Sequence, residues 1–305
     1  MPTGRWQISR LFVINLSAYR VNIYSDLGAN GHGDSLIDAA SRSTNDELTM
    51  YRPTKVKRFD LPAGRSVAGK YQIERQLGSG YEGEVYAIVE RATGIRRAAK
   101  FYYPHRDPMG KAAIVYARKL DALRHCPILM QYHHQEIAYF QRKRVMVVIS
   151  ELVEGEKLSE FLNRQPRHRL SAFEALHVLY LLSKGIAPIH ERGEYHGDIH
   201  DDNIMIRRQG ISFEVKLLDF FDLGRPTRDK IHKDVLNLVQ VFHTLVGGRE
   251  HYAHQPRVVK DIVRGLRDSL ILDRFQSAGD IQRHLENLSW EEGGHVNGNG
   301  KVHSR

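Results

Sequence analysis

The first half of the chain alternates apolar and polar positions in several short runs, the pattern of strands with one buried face. The clearest run covers residues 71–77, and a second one follows directly after a glycine-rich turn. Further runs of this kind lie before and after residues 104–136. Together they predict five strands, at 71–77, 85–89, 96–103, 137–140 and 145–149.

Helical periodicity first shows at residues 109–124, between the third and fourth predicted strands. Four apolar side chains of that stretch fall on one helix face: Ala113, Tyr116, Leu120 and Leu123. In the second half, Ser171 with Glu174 three residues on is a capping box that opens a long helix. Other predicted elements are a short helix at 157–163, strands at 204–206 and 213–218, and helices beginning at 233, 258 and 278. A sheet followed by helices predicts an α+β fold.

Composition narrows the class of protein. No apolar run approaches the roughly 18 residues that a membrane span needs, so we expect no membrane partner. The single cysteine, Cys126, excludes an internal disulfide and favours a reducing compartment, the cytoplasm. The net charge of +9 favours anionic partners such as nucleotides. No basic block with interleaved aromatics occurs, so nucleic-acid binding is not expected.

The two ends of the chain lack the patterns of the middle. In residues 1–68, Arg5, Arg10 and Arg20 precede the first acid, and residues 28–45 are rich in Gly, Ser, Asp and Asn. We predict that 1–68 form a poorly ordered extension. Residues 291–305 carry Gly, Asn and His and predict a disordered tail.

The candidate chemistry lies in a polar run at residues 195–203, which holds three aspartates, two histidines and an asparagine. Asp198 and Asn203 stand five residues apart, and a nearby predicted strand ends in Asp219. A phosphoryl-transfer site assembles a base and two magnesium ligands in this way. The alternative is a solvated, aspartate-rich turn between a helix and a strand.

A second motif, Gly78-Ser79-Gly80-Tyr81-Glu82-Gly83, lies between two predicted strands. The dinucleotide-binding version of such a glycine pattern opens a helix, whereas here a strand follows. The backbone of a hairpin of this kind can lie over phosphates, although an ordinary glycine-rich hairpin remains the alternative. Lys100 follows on the next predicted strand, at the spacing of a phosphate-binding lysine.

These motifs resemble those of the protein-kinase superfamily. His196, Asp198 and Asn203 match its catalytic loop, and Asp219-Phe220 matches the start of its D-F-G motif. The resemblance implies an α+β, bilobal fold over residues 69–290, with an N-lobe at 69–150 and a helical C-lobe at 154–290. In that fold ATP lies between the lobes.

The resemblance also implies roles for single residues, with ATP and Mg²⁺ as cofactors. Asp198 would orient the acceptor hydroxyl and take its proton, and Lys100 would contact the α- and β-phosphates. Asn203 and Asp219 would hold magnesium. ATP would contact Gly78, Ser79, Gly80, Gly83, Val85, Ala98, Lys100, and the backbone of Glu151 and Val153. Asp234 would bond the catalytic-loop backbone.

Several positions depart from the pattern of protein kinases. Gly197, His200 and Phe221 look like the aminoglycoside- and choline-kinase branch instead. Tyr116 stands where the family has a helix glutamate, so the usual Lys–Glu ion pair cannot form in its standard place. Glu82 at the tip of the glycine motif would be mildly repulsive toward a triphosphate.

Three functions remain open at this point. The first is a Ser/Thr protein kinase, which transfers the γ-phosphate of ATP to a protein hydroxyl. The second is a small-molecule kinase, and the third is an ATP-binding pseudokinase. The segment 220–233 is short, basic and without an A-P-E motif, and its only hydroxyl is that of Thr227. We therefore expect activity that does not depend on phosphorylation of this segment.

Overall fold

A computed structural model describes residues 55–219 and 224–288 of the chain. An antiparallel sheet with one helix forms the first lobe, and helices dominate the second, as predicted for a bilobal α+β fold. The predictions for residues 1–54, for Phe221 and for the tail at 291–305 fall outside the described residues.

Six strands build the sheet of the N-lobe, one more than the five predicted. They are β1 (Ser66–Val67), β2 (Tyr71–Ser79), β3 (Gly83–Glu90), β4 (Arg96–Tyr102), β5 (Tyr132–Phe140) and β6 (Lys143–Ser150). Their order is β1-β2-β3-β4-β6-β5, with every neighbouring pair antiparallel. The sequence pattern missed β1 because a strand of two residues is too short to show alternation.

The chain joins the packed fold earlier than predicted. Residues 55–65 lie on the outer face of the sheet and Ser66–Val67 form its first strand, so the predicted boundary at residue 69 is too late. Three apolar side chains of this segment are buried there: Val56, Phe59 and Leu61. The Phe59 amide donates to Oε1 of the buried Glu84 at 2.8 Å, and the Leu61 amide donates to the Tyr86 hydroxyl at 3.1 Å. The segment therefore covers the Glu84 carboxylate and also supplies one of the hydrogen-bond donors that a buried carboxylate needs.

Helix α1 (Lys111–Ala122) crosses the inner side of the sheet. It begins two residues later than predicted, since Gly110 has a left-handed backbone with φ +69°. The Asp107 carboxylate accepts from the first helical amides, those of Ala112 at 3.1 Å and Ala113 at 3.0 Å. The predicted apolar face is buried as expected, which brings Tyr116 toward the cleft between the lobes.

The upper part of the C-lobe combines a small sheet with two helices. The sheet has strands β7 (Glu156–Lys157), β8 (Ile204–Gln209) and β9 (Ser212–Leu217), and the helices are α2 (Leu158–Asn163) and α3 (Ala172–Glu191). The predicted capping box is present at the start of α3. Helix α3 alone among the described helices is long and apolar enough to cross a membrane, but half of its apolar stretch is buried inside the lobe.

Five helices complete the described part of the C-lobe: α4 (Arg228–Leu245), α5 (Gly248–Tyr252), α6 (Arg257–Val263), α7 (Asp268–Arg274) and α8 (Ala278–Glu286). Helix α4 begins five residues before the predicted start at 233. Thr227 is its N-cap, since the side chain accepts from the Lys230 amide at 3.3 Å. The basic residues predicted to lie in a loop therefore partly belong to the first turns of α4.

Candidate active site

The catalytic loop, residues 195–203, joins α3 to β8 and is anchored by a buried histidine. Nε2 of His196 bonds the Leu218 carbonyl at 2.9 Å, and its Nδ1 accepts from the Asp198 amide at 3.3 Å. These two partners require a neutral ring with its proton on Nε2. Burial lowers the pKa of His196 and outweighs the opposing effect of Asp234, which agrees with that state.

A buried carboxylate on α4 fixes the backbone of the same loop. Asp234 accepts from the His196 amide at 2.6 Å and from the Gly197 amide at 2.8 Å, as predicted. His190 bonds the same carboxylate through Nε2 at 3.2 Å, and its Nδ1 accepts from the Ala278 amide at 3.0 Å. The ring therefore presents an Nε2 proton to Asp234. Gly197 has φ +87°, a backbone that glycine adopts without strain.

The structure brings Asp198 and Asn203 into direct contact. Nδ2 of Asn203 donates to Oδ2 of Asp198 at 2.7 Å and to its backbone carbonyl at 3.0 Å. Because the amide nitrogen is used in this way, the amide oxygen remains available as an acceptor or a metal ligand. His200 lies at the rim of this pair, with Nε2 3.6 Å from Oδ2 of Asp198.

Asp219 lies beside the catalytic loop and also reaches the N-lobe. The preceding residue, Leu218, donates its amide to the Asn203 carbonyl at 2.8 Å, which joins the two loops. Across the cleft, Nζ of Lys100 is 3.3 Å from Oδ1 of Asp219. Asp219 has φ +24°, a strained backbone for a residue other than glycine. The four residues predicted to do the chemistry thus meet at the junction of the lobes.

Tyr116 on α1 stands where members of the kinase family have a glutamate. Its hydroxyl donates to Oδ1 of Asp219 at 2.9 Å, and Nζ of Lys100 lies 5.0 Å from its ring centre. Burial alone would raise the pKa of Asp219, but the Lys100 ammonium and the Tyr116 hydrogen bond hold it below its ordinary value. Asp219 is therefore ionised at neutral pH.

Glu82, which was predicted to repel a triphosphate, contacts Lys100 in the structure. Its Oε2 lies 2.9 Å from Nζ of Lys100, so a carboxylate from the glycine motif neutralises this lysine in the described chain. Burial disfavours the charge of Lys100, yet Asp219, Glu82 and nearby groups outweigh it and raise its pKa. Lys100 is therefore a fixed cation held between two carboxylates.

Comparison with known proteins assigns this constellation to a family. Residues 71–255 match the protein kinase domain. The chain belongs to the protein kinase domain family. The predicted superfamily and the predicted two-lobed architecture are both confirmed by this match.

Solved structures of kinase domains share the fold at low sequence identity. A double mutant of the Mycobacterium tuberculosis PknI kinase domain superposes with a TM-score of 0.55 at 18% identity, over 74% of this chain and all of that one. A single mutant of the same domain gives 0.54 at 19% identity, over 74% of this chain and 98% of the other. At this level of identity the likeness concerns the fold alone.

Curated relatives are protein kinases from distant organisms. Smooth-muscle myosin light chain kinase of Gallus gallus is 30% identical over 162 residues, 51% of this chain and 8% of its own length. Serine/threonine-protein kinase pkn2 of Myxococcus xanthus is 29% identical over 157 residues, 50% of this chain and 18% of its own. Death-associated protein kinase 2 of Mus musculus is 28% identical over 61% of this chain and 46% of its own length. The chain thus spans less than half of each relative.

The glycine motif of this kinase domain forms the predicted hairpin. Gly78 pairs with Val85 and Ser79 with Glu84, and the Gly80 amide donates to the Gly83 carbonyl at 2.9 Å. A Cβ on Gly78 or Gly80 would meet no protein atom within 4 Å, and neither has a left-handed backbone. Nothing in the described protein demands glycine there, whereas close approach of a ligand would.

Three residues predicted to contact ATP, Ala98, Glu151 and Val153, lie on and directly after two neighbouring strands of the sheet. Ala98 on β4 pairs with Ser150 at the end of β6, directly before Glu151 and Val153. Glu151 is held by its amide on the Gln131 carbonyl at 2.8 Å and by its carboxylate on Nζ of Lys216 at 2.8 Å. The roles of these residues as ATP contacts stay predictions.

Two site residues of the kinase domain were missed in sequence reasoning. Glu82 was seen as a repulsive residue and Tyr116 as a missing glutamate, yet the two lie on either side of the Lys100–Asp219 pair. Glu82 is the one acid in the glycine motif, but the motif alone does not show that this side chain reaches Lys100. The hydroxyl of Tyr116 had no signal in the sequence, because tyrosine on an apolar helix face is usually a core residue.

Proposed function

We propose that this chain is a Ser/Thr protein kinase that transfers the γ-phosphoryl group of ATP to a protein hydroxyl. The observation that carries the proposal is the contact between Lys100 and Asp219 across the cleft, at 3.3 Å. It brings a phosphate-binding cation to the carboxylate beside the Asp198–Asn203 pair. The relative named as a serine/threonine-protein kinase, pkn2 of Myxococcus xanthus, supports the acceptor class.

The donor set fits magnesium. Asp219 is a carboxylate with a lowered pKa, and Asn203 has an amide oxygen that its own hydrogen bonds leave available. When bound, magnesium would neutralise charge on the phosphates. Asp219 and Asn203 would hold it, while Lys100 would bind the α- and β-phosphates from the N-lobe side.

Asp198 would bind the acceptor hydroxyl and accept its proton. Its carboxylate is oriented by Asn203, and its backbone by His196, so little reorganisation would be needed during the reaction. The backbone of Gly78–Gly80 would cover the phosphates, because neither Gly78 nor Gly80 has a side chain that prevents close approach. Catalysis would consist of positioning and charge neutralisation.

Mg·ATP should bind the wild-type chain and raise its melting temperature, since a ligand that binds only the folded state stabilises it. Lys100→Ala should reduce that shift by removing the cation opposite Asp219. Calorimetry with and without magnesium measures the affinity. Lys70→Ala, which removes an exposed lysine of the same lobe, is the matched control and should leave binding unchanged. Absence of nucleotide binding by the wild type would overturn the proposal.

A small-molecule hydroxyl is the second candidate acceptor. The observation that favours it is His200, whose ring lies beside Asp198 where protein kinases usually have lysine. Radiolabelled ATP assayed against generic proteins and against small alcohols separates the two acceptor classes. Label on alcohols alone would replace the protein acceptor, and tight nucleotide binding without any transfer would indicate a pseudokinase.

Thr227→Ala should leave the transfer rate within about twofold, equivalent to about 0.4 kcal/mol in barrier. Thr227 holds the only hydroxyl between Asp219 and Asp234, and the structure uses it as the N-cap of α4. Loss of that cap should lower the free energy of unfolding by about 1 kcal/mol. Urea denaturation and initial rates measure the two effects separately.

Phosphatase treatment should likewise leave the rate unchanged.

Thr244→Ala is the control for stability, because this threonine lies inside α4, where its hydroxyl donates to the Gln240 carbonyl of its own helix. It should cost less than Thr227→Ala, since alanine is the better residue in a helix interior. A large loss of rate after phosphatase treatment or in Thr227→Ala would mean that the segment is a phospho-switch.

A further inference from the structure

The Lys100 ammonium has two carboxylate partners in the described part of the chain. Oε2 of Glu82 lies at 2.9 Å and Oδ1 of Asp219 at 3.3 Å. Only 14% of the Lys100 side chain is exposed, so its charge depends on these partners. The two come from opposite sides of the cleft: Glu82 from the turn between β2 and β3, Asp219 from the end of β9.

Asp219 is poorly suited to hold the lysine during the proposed reaction. The oxygen that faces Lys100 already accepts from the Tyr116 hydroxyl at 2.9 Å. In the proposed function the same carboxylate would bind magnesium, and two cations on one carboxylate repel each other. The partner that can stay with Lys100 while Asp219 turns to a metal ion is Glu82.

The backbone, rather than a single side-chain rotamer, brings Glu82 to this place. The Glu82 carbonyl accepts from the Tyr103 amide at 2.9 Å, which fastens the turn to the chain beyond β4. Gly83 makes this close approach possible, because a Cβ there would lie 1.9 Å from the Phe101 carbonyl oxygen. Because Gly83 pairs with Tyr102 and Val85 with Lys100, the turn lies beside Tyr103, and the Glu82 side chain reaches back from there to the lysine.

Helix α1 offers no such carboxylate. Its position nearest the lysine is Tyr116, whose hydroxyl is directed to Asp219. The one acid of the helix, Asp121, lies at the surface with Arg124, 3.3 Å away and on the last turn. The element that carries the charge partner of the lysine is therefore the glycine-rich turn.

We propose that Glu82 is a positioning residue, which holds Lys100 extended toward the nucleotide phosphates during the proposed reaction. This inference rests on the proposed function. According to this inference, the glycine-rich turn positions Lys100. Glu82 should therefore favour the use of ATP, although the carboxylate and the phosphates are both negatively charged.

Glu82→Gln should lower kcat/KM for ATP by about tenfold or more, the effect of losing one charge-assisted hydrogen bond. Combining Glu82→Gln with Lys100→Ala makes a double-mutant cycle. In the Lys100→Ala background the second substitution should change neither the Mg·ATP Kd nor kcat/KM, because Glu82 acts through the lysine. Calorimetry and steady-state rates on the full chain supply both readouts.

Two further variants complete the test. Glu74→Gln removes an exposed carboxylate of the same sheet, paired with Arg96 at 2.7 Å, and should behave as wild type. Glu82→Asp keeps the charge and should retain part of the activity that Glu82→Gln loses. Because Glu82 is partly exposed, the Glu82 variants should melt close to wild type.

The possible outcomes distinguish a failure of this inference from a failure of the proposed function. Wild-type kcat/KM in Glu82→Gln, with an active wild type, would overturn the inference alone. Tighter Mg·ATP binding in Glu82→Gln would also overturn it, since Glu82 would then compete with the phosphates for Lys100. An equal loss in both backgrounds would show that Glu82 acts elsewhere. A wild type without nucleotide binding would overturn both proposals.

Discussion

Asp198→Asn should retain the Mg·ATP affinity of the wild type and lose most phosphoryl transfer. The amide can turn its oxygen toward Nδ2 of Asn203, which now donates to Oδ2 of Asp198 at 2.7 Å, so the loop should keep its shape. What the amide cannot do is accept a proton. A positioned general base contributes about 10²–10⁴ in rate. We therefore expect kcat to fall by at least about 100-fold, measured with radiolabelled ATP.

A neighbouring aspartate supplies the control for this substitution. Asp202 lies in the same loop and accepts from the Ser159 hydroxyl at 2.6 Å, away from the Asp198–Asn203 pair. Asp202→Asn keeps that acceptor and should turn over at the wild-type rate. If Asp198→Asn also did so, the proton would have another acceptor. If Asp202→Asn lost as much activity, the loop geometry rather than the base would be limiting.

The parts of the fold that the sequence predicted are those with short-range causes. The predicted capping box joins Ser171 to Glu174, and the helix predicted to begin at residue 278 does so, with a second capping box that joins Ser277 to Asp280. The catalytic loop was predictable for the same reason, because Asp198 and Asn203 lie five residues apart and bond each other. Local signals of this kind require no knowledge of the distant chain.

The partner of Lys100 could not be predicted, because it depends on how far a turn folds over a neighbouring strand. The absence of a glutamate on α1 suggested that the lysine lacks its ion pair, but the structure supplies a carboxylate from Glu82 instead. Only the register of β3 on β4, with Gly83 opposite Tyr102, places that carboxylate within 2.9 Å. A single sequence does not contain this register.

The early part of the N-lobe was missed although its sequence carries a signal. Phe59 and Leu61 are apolar residues two positions apart, the alternation of an extended segment with one buried face, but basic and turn residues surround them. The Phe59 amide has its partner in the Glu84 carboxylate, buried on the outer face of the sheet, which also accepts from the Tyr103 hydroxyl at 2.9 Å. Acids after a glycine motif are usually read as exposed, so this long-range contact was invisible.

Asp234→Ala should strongly destabilise the C-lobe. The carboxylate is fully buried and accepts from the His196 amide, the Gly197 amide and the His190 ring. Removing it leaves three donors without this acceptor in a site closed to water. Each buried unsatisfied donor costs about 1–3 kcal/mol, so we expect a loss of about 3–5 kcal/mol in the free energy of unfolding.

A loss of that size would remove much of the roughly 5–15 kcal/mol that a domain of this kind has. Urea denaturation at a constant m-value measures it, and nucleotide affinity at low temperature shows whether the remaining folded protein keeps its catalytic loop.

Asp261→Ala, an exposed aspartate of α6, is the control and should shift stability by less than about 0.5 kcal/mol. Asp234→Asn should fall between the two, because its amide oxygen can accept from one of the loop amides while its NH₂ group faces the other. An Asp234→Ala variant as stable as the control would mean that solvent or a rearranged loop satisfies those amides, and that α4 does not hold the loop in place.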